Sequence, residues 1–160
     1  MTDTNTSHPP KGLLRLGFRL PVYVYRLGLG WLFGKHFVLI NHLGRKTGSP
    51  HQAVVEVIER DPQTGGVTVV AGYGAQTQWY QNLRVHPETT IQIGRRRMPV
   101  VAEFVSAEDG EDIMSRYVNR HHKLTGELFS MVGYTWDGTE QGARQIARDS
   151  LRFVHFAPKG

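Results

Sequence analysis

Residues 36–58 read HFVLINHLGRKTGSPHQAVVEVI. Two apolar runs, 36–43 and 53–58, flank a loop containing Gly44, Gly48 and Pro50, which is the pattern of a hairpin-type connection between two strands. The loop Gly44-Arg45-Lys46-Thr47-Gly48 sets two adjacent cations and a hydroxyl between glycines. Glycine lets backbone N–H groups approach a ligand closely. A planar Arg fork beside a mobile ammonium suits a phosphate or carboxylate. Ordinary surface turns carry the same residue types, so the loop by itself leaves both readings open.

The strand pattern continues outward. The first strand is expected over 36–43 and the second over about 52–60, followed by the turn Asp61-Pro62-Gln63-Thr64-Gly65-Gly66. A third strand, 67–71, runs into Gly72-Tyr73-Gly74. Residues 76–85 then read as a short helix, with Trp79, Tyr80 and Leu83 apolar and His86-Pro87 as its stop. A fourth strand over 89–93 meets Gly94-Arg95, a tight turn into a fifth over about 97–105. Ser106 can cap a helix that reaches about residue 121, with Asp109 three residues on. Residues 124–133 read either as helix or as irregular chain. Residues 134–138 read as a loop, 139–149 as helix and 151–156 as a last strand. The sum is mostly β (α+β): six meandering strands in a small antiparallel barrel with covering helices.

A chain of 160 residues suits one domain. With 39% hydrophobic and 21% charged residues it is an ordinary globular composition. The absence of cysteine excludes disulfides and thiolate metal sites. A net charge of +5 favours anionic partners: a phosphorylated cofactor, an anionic lipid surface or nucleic acid. Nucleic acid is disfavoured, because no strand face interleaves aromatic platforms with the basic residues. No metal is expected, since no His-x-x-x-His pair or His/Asp/Glu cluster has ligand spacing. Arg95-Arg96-Arg97 reads as a solvated hairpin edge, with an acidic cofactor tail or lipid headgroups as alternatives.

Residues 1–10 are polar and read as a disordered tail, with no apolar leader core. Residues 11–35 are apolar with interspersed Arg15, Arg19, Arg26 and Lys35, and Pro21 interrupts a helical pattern. Such a helix either covers the barrel, contacts a second copy, or lies on a membrane surface. The expected domain layout is a tail over 1–10, this helix over 11–35 and a cofactor-binding barrel over 36–160. No run is long enough to span a membrane. The expected location is cytoplasmic, with membrane association as the alternative.

The stretch 72–87, Gly72-Tyr73-Gly74-Ala75-Gln76-Thr77-Gln78-Trp79-Tyr80-Gln81-Asn82-Leu83-Arg84-Val85-His86-Pro87, is a glycine turn that opens a helix. Free N–H groups and the positive end of the helix dipole meet there. A strand followed by Gly-Arg-Lys-Thr-Gly, then a strand ending in a small glycine turn, then Trp-Tyr-x-Asn-Leu and a Pro, resembles the deazaflavin-dependent nitroreductase family over about residues 36–105. The resemblance implies a split β-barrel of the FMN-binding-like kind and reduced coenzyme F420, with FMN the weaker expectation. It implies an oxidoreductase that passes hydride to a quinone, nitro compound or other conjugated acceptor. Carried over, Arg45, Lys46, Thr47 and Gly48 face the phosphate and acidic tail. His51 stands where the family often has Arg. Gly72, Tyr73, Gly74 and Ala75 run beside the deazaflavin ring, and Trp79, Tyr80 and Asn82 hold the helix and groove wall. The family's turn is often longer and carries Lys where this chain has Tyr73.

Tyr134 and Trp136 are the acceptor-pocket candidates, and Tyr73 or Tyr134 the candidate proton donors. Members of the family are often dimeric, so a homodimer is an expectation of the resemblance. The alternative function is a non-catalytic split-barrel protein that holds a lipid, flavin or other ligand near the membrane.

Overall fold

The computed structural model describes residues 36–159. Strands β1 (Phe37–Leu43), β2 (Pro50–Arg60), β3 (Val67–Ala71), β4 (Glu88–Ile93), β5 (Arg96–Phe104) and β6 (Arg152–Pro158) close into a barrel. Their order is β1-β2-β3-β6-β5-β4, and every neighbouring pair is antiparallel. Helix α1 (Gln78–Val85) lies between β3 and β4. Helices α2 (Ala107–Arg120), α3 (His122–Val132) and α4 (Glu140–Ser150) lie between β5 and β6. The six strands match the sequence reading. The tail expected over 1–10 and the apolar helix expected over 11–35 lie outside the described residues.

Strand periodicity sorts the side chains into two cores. Val38, Ile40, Val67, Val69, Ile91, Val100, Val154 and Phe156 fill the barrel. Helix α1 adds Trp79, Tyr80 and Leu83 to the same interior, so it plugs the barrel. The alternate positions Ile58 and Phe153 face outward and pack under Ile113, Met114, Tyr117 and Val118 of α2 and Phe129 of α3. Ala143 and Ala147, one turn apart on α4, are buried in this second layer.

Local chemistry sets the helix ends. Ser106 Oγ accepts from Asp109 N at 3.2 Å, the cap read from the sequence. Residues 124–133, readable either way, form α3, which ends at Gly133 with φ +89°. There Gly133 N donates to Ser130 O at 3.1 Å and Tyr134 N to Phe129 O at 2.8 Å. The helix expected from residue 76 begins instead at Gln78. A 3-10 turn occupies Gly74–Gln76, and Thr77 is extended (ψ 127°) between the two.

Strict antiparallel order sends successive loops to opposite ends of the barrel. The basic loop 44–49 and the segment 72–87 therefore share one end. The loops 61–66 and 94–95 share the other.

Candidate functional site

The basic loop is tied by its own backbone. Gly44 N donates to Ser49 O and Gly48 N to Gly44 O, both at 2.8 Å, and Gly48 has φ +71°. Thr47 Oγ1 donates to Ser49 Oγ at 3.1 Å and accepts from Ser49 N at 3.2 Å, so this hydroxyl helps to close the loop. Lys46 is exposed and enters no ion pair among the described residues.

Arg45 is held from α1. Its backbone N–H donates to Asn82 Oδ1 at 3.1 Å, and its Nη1 donates to Asn82 Oδ1 at 2.9 Å and Gln78 Oε1 at 3.0 Å. Both oxygens belong to neutral amides, so the guanidinium is fixed while no carboxylate among the described residues compensates its charge. Asn82 is 4% exposed, and its Nδ2 lies 2.9 Å from His42 Nδ1. His42 ends the inward-facing row Val38, Ile40, His42 on β1 and stacks on His51, with ring centroids 5.4 Å apart. Burial, and secondarily the neighbouring His51, hold the His42 pKa down at about 4, so its imidazole is neutral near pH 7. His51 itself is exposed on β2.

The glycine turn is packed from behind. Gly72 O accepts from Tyr134 Oη at 2.7 Å, and a Cβ on Gly72 would stand 3.0 Å from Val132 Cγ1. Gly74 has φ +65° and lies against the carbonyl of Ser150. Ala75 is exposed, and its carbonyl accepts from Gln81 Nε2 at 2.8 Å. Tyr73 is half-buried; burial first, and Tyr134 second, raise its phenol pKa, so it keeps its proton.

The two motifs named from the sequence thus meet on α1, which takes Arg45 through Asn82 and Gln78 and the turn through Gln81. Trp79 and Tyr80 point into the barrel, where Tyr80 meets Phe104 edge-on at 5.5 Å. Trp136 belongs to the helical layer: its Nε1 donates to Thr139 O at 2.8 Å and its ring packs on Phe129 at 5.5 Å. His42 and Gln78 were not singled out from the sequence. For His42 the available signal was a polar residue on the apolar face of a strand, two positions before the basic loop. Gln78 gave none.

No group of residues able to hold a metal ion occurs among the described residues. No helix among them is long and apolar enough to cross a membrane.

Comparison with known proteins follows the same lines. A Mycobacterium tuberculosis protein with the provisional name F420H(2)-dependent quinone reductase Rv3178 is 32% identical over 96 residues, 60% of this chain and 81% of that protein. A solved structure titled F420-H2 dependent reductase (FDR-A) superposes with a TM-score of 0.50 at 17% identity, covering 77% of this chain and 95% of that one. A Nostoc punctiforme FMN-binding protein, described as pyridoxamine 5'-phosphate oxidase-related, superposes with a TM-score of 0.51 at 12% identity, covering 92% and 81%. At these identities the solved structures speak for the fold, a split barrel. The family model described as F420H(2)-dependent quinone reductase matches residues 22–125. The chain therefore belongs to the F420H(2)-dependent quinone reductase family, oxidoreductases that use reduced F420.

Proposed function

We propose that this chain passes hydride from reduced F420 to a quinone, with nitro compounds as a second acceptor class. The observation that carries the reading is the pair Arg45 and Lys46, cations without a carboxylate partner among the described residues, at the barrel end that also holds the Gly72–Ala75 turn. Gly48 adds open space where a Cβ would stand. A fixed guanidinium held by neutral oxygens, a free ammonium and an open loop fit a group bearing phosphate and carboxylates.

When bound, the reduced deazaflavin supplies a two-electron hydride; the protein supplies orientation and electrostatics. Arg45 and Lys46 receive the anionic tail, with Thr47, Gly48 and His51 around them. Gly72, Tyr73, Gly74 and Ala75 border the ring. Trp79 and Tyr80 anchor α1 in the barrel, and Asn82 ties the loop to it. Tyr73, which keeps its proton, gives an O–H to the acceptor oxygen as charge develops there. The Tyr134 hydroxyl already donates to Gly72 O, so Tyr134 shapes the turn, and with Trp136 it bounds the acceptor side.

Titration of the purified protein with F420, followed by cofactor fluorescence, tests the reading. Wild type should bind in the micromolar range and oxidise the reduced cofactor when a soluble naphthoquinone is added. The double substitution Arg45→Ala/Lys46→Ala should cost about 3 kcal/mol of affinity, roughly 100-fold. An unchanged dissociation constant in the double variant would remove the support for this site.

A further inference from the structure

The hydrogen bonds of the Asn82 side chain have directions that chemistry forces. Its Oδ1 lies between Arg45 N and Arg45 Nη1, at 3.1 and 2.9 Å. Both partners can only donate, so the atom between them is the amide oxygen. The atom 2.9 Å from His42 Nδ1 is then the amide nitrogen. An amide N–H donates, so His42 Nδ1 accepts. The single proton of the neutral ring must therefore sit on Nε2.

His42 Nε2 has no hydrogen-bond partner among the described residues, and it is not among the buried atoms that lack one. His42 lines a cavity of about 210 Å³ together with Leu43, Pro50, His51 and three polar residues, Asn41, Gln52 and Thr89. Those three are committed elsewhere. Asn41 Nδ2 donates to Thr90 O at 3.0 Å, Gln52 Nε2 donates to Asn41 Oδ1 at 3.1 Å, and Thr89 Oγ1 donates to Asn41 O. The two stacked imidazoles are left to meet whatever enters.

We propose that Asn82 is a positioning residue that fixes His42 as a neutral Nε2–H donor on the cavity wall, where it meets an acceptor oxygen of an anionic ligand held by Arg45 and Lys46. One amide thus sets the direction of the cation and the tautomer of the donor together. The inference rests on the cofactor reading above and adds to it the His42 ring, which gives a hydrogen bond to that ligand without bringing a charge. A group that could only donate would be turned away at this point, facing Nε2–H with no acceptor.

Two measurements test it. Two-bond proton–nitrogen correlation spectra of the ligand-free protein report the His42 tautomer directly. Wild type should show the Nε2–H form, and Asn82→Ala a mixture or the Nδ1–H form. Titration with F420 then compares His42→Gln, whose amide reaches the Nε2 position, with His42→Asn, whose amide reaches only the Nδ1 position. His42→Gln should stay within about threefold of wild type and His42→Asn should bind about tenfold more weakly, the loss of one hydrogen bond. A wild type with the Nδ1–H tautomer overturns the inference, as does equal binding by the two variants. A wild type that ignores F420 overturns the cofactor reading and takes this inference with it.

Discussion

Single residues here carry charge in places where the surroundings decide whether it persists. Glu56 on β2 accepts from Tyr117 Oη at 2.6 Å through one oxygen, while its other oxygen is buried with no partner. Burial raises its pKa above the ordinary carboxyl value, and the Tyr117 bond and His36 only partly offset this. The folded chain therefore binds that proton more tightly than the unfolded chain does. Glu56 favours the fold in acid, and that contribution is lost as pH rises through the raised native value. Glu56→Gln stays neutral throughout. Measured by urea unfolding, its stability relative to wild type should improve as the pH rises from the acid range towards neutrality. A difference that stays flat over that range would show that Glu56 ionises freely.

At the scale of elements, the turn between β3 and α1 depends on one glycine far more than on its neighbours. Gly74 has φ +65°, and a Cβ there would run into the carbonyl of Ser150 at the end of α4. Gly94, in the β4–β5 hairpin, has φ +58° but nothing within 4 Å of its would-be Cβ. Gly94→Ala should thus cost about 1 kcal/mol, the left-handed penalty alone. Gly74→Ala adds a backbone collision and should cost more than about 2 kcal/mol, read as a lower urea midpoint. Equal costs would mean that the β3–α1 turn is free to move away from α4. The turn is packed along its length: Tyr134 and Val132 back it at Gly72, and Ser150 backs it at Gly74.

For the whole molecule, stability and site geometry share a part, because the helix that plugs the barrel also carries the site. Leu83 is fully buried in the barrel core, one position from Asn82, while Val85 on the same helix is 54% exposed. Leu83→Ala should cost about 2–5 kcal/mol by cavity formation, whereas Val85→Ala should stay within about 0.5 kcal/mol. If the barrel unfolds as one unit, Leu83→Ala lowers the urea midpoint without changing the m-value. A changed m-value would indicate that α1 detaches from the barrel first. Closure gives every described strand a neighbour on both sides, but β2 pairs with β3 only at Val57, Glu59 and Arg60, so Pro50–Glu56 is laddered to β1 alone.

The apolar runs over 36–43 and 67–71 with the glycine turns after them, the Ser106 cap and the glycine-flanked cations at residues 44–48 are local facts, written in neighbouring residues. They were therefore readable without coordinates: six strands, a barrel, and the loop that carries the charge. Residues 124–133 were not, because the burial of Thr125 and Phe129 that makes them a helix is supplied by other elements. Nor was the joining of the two motifs. Arg45 and Asn82 are 37 positions apart, and His42 and Asn82 are 40 apart. Only strand order places them together, and only the hydrogen-bond directions that follow decide which nitrogen of His42 holds its proton.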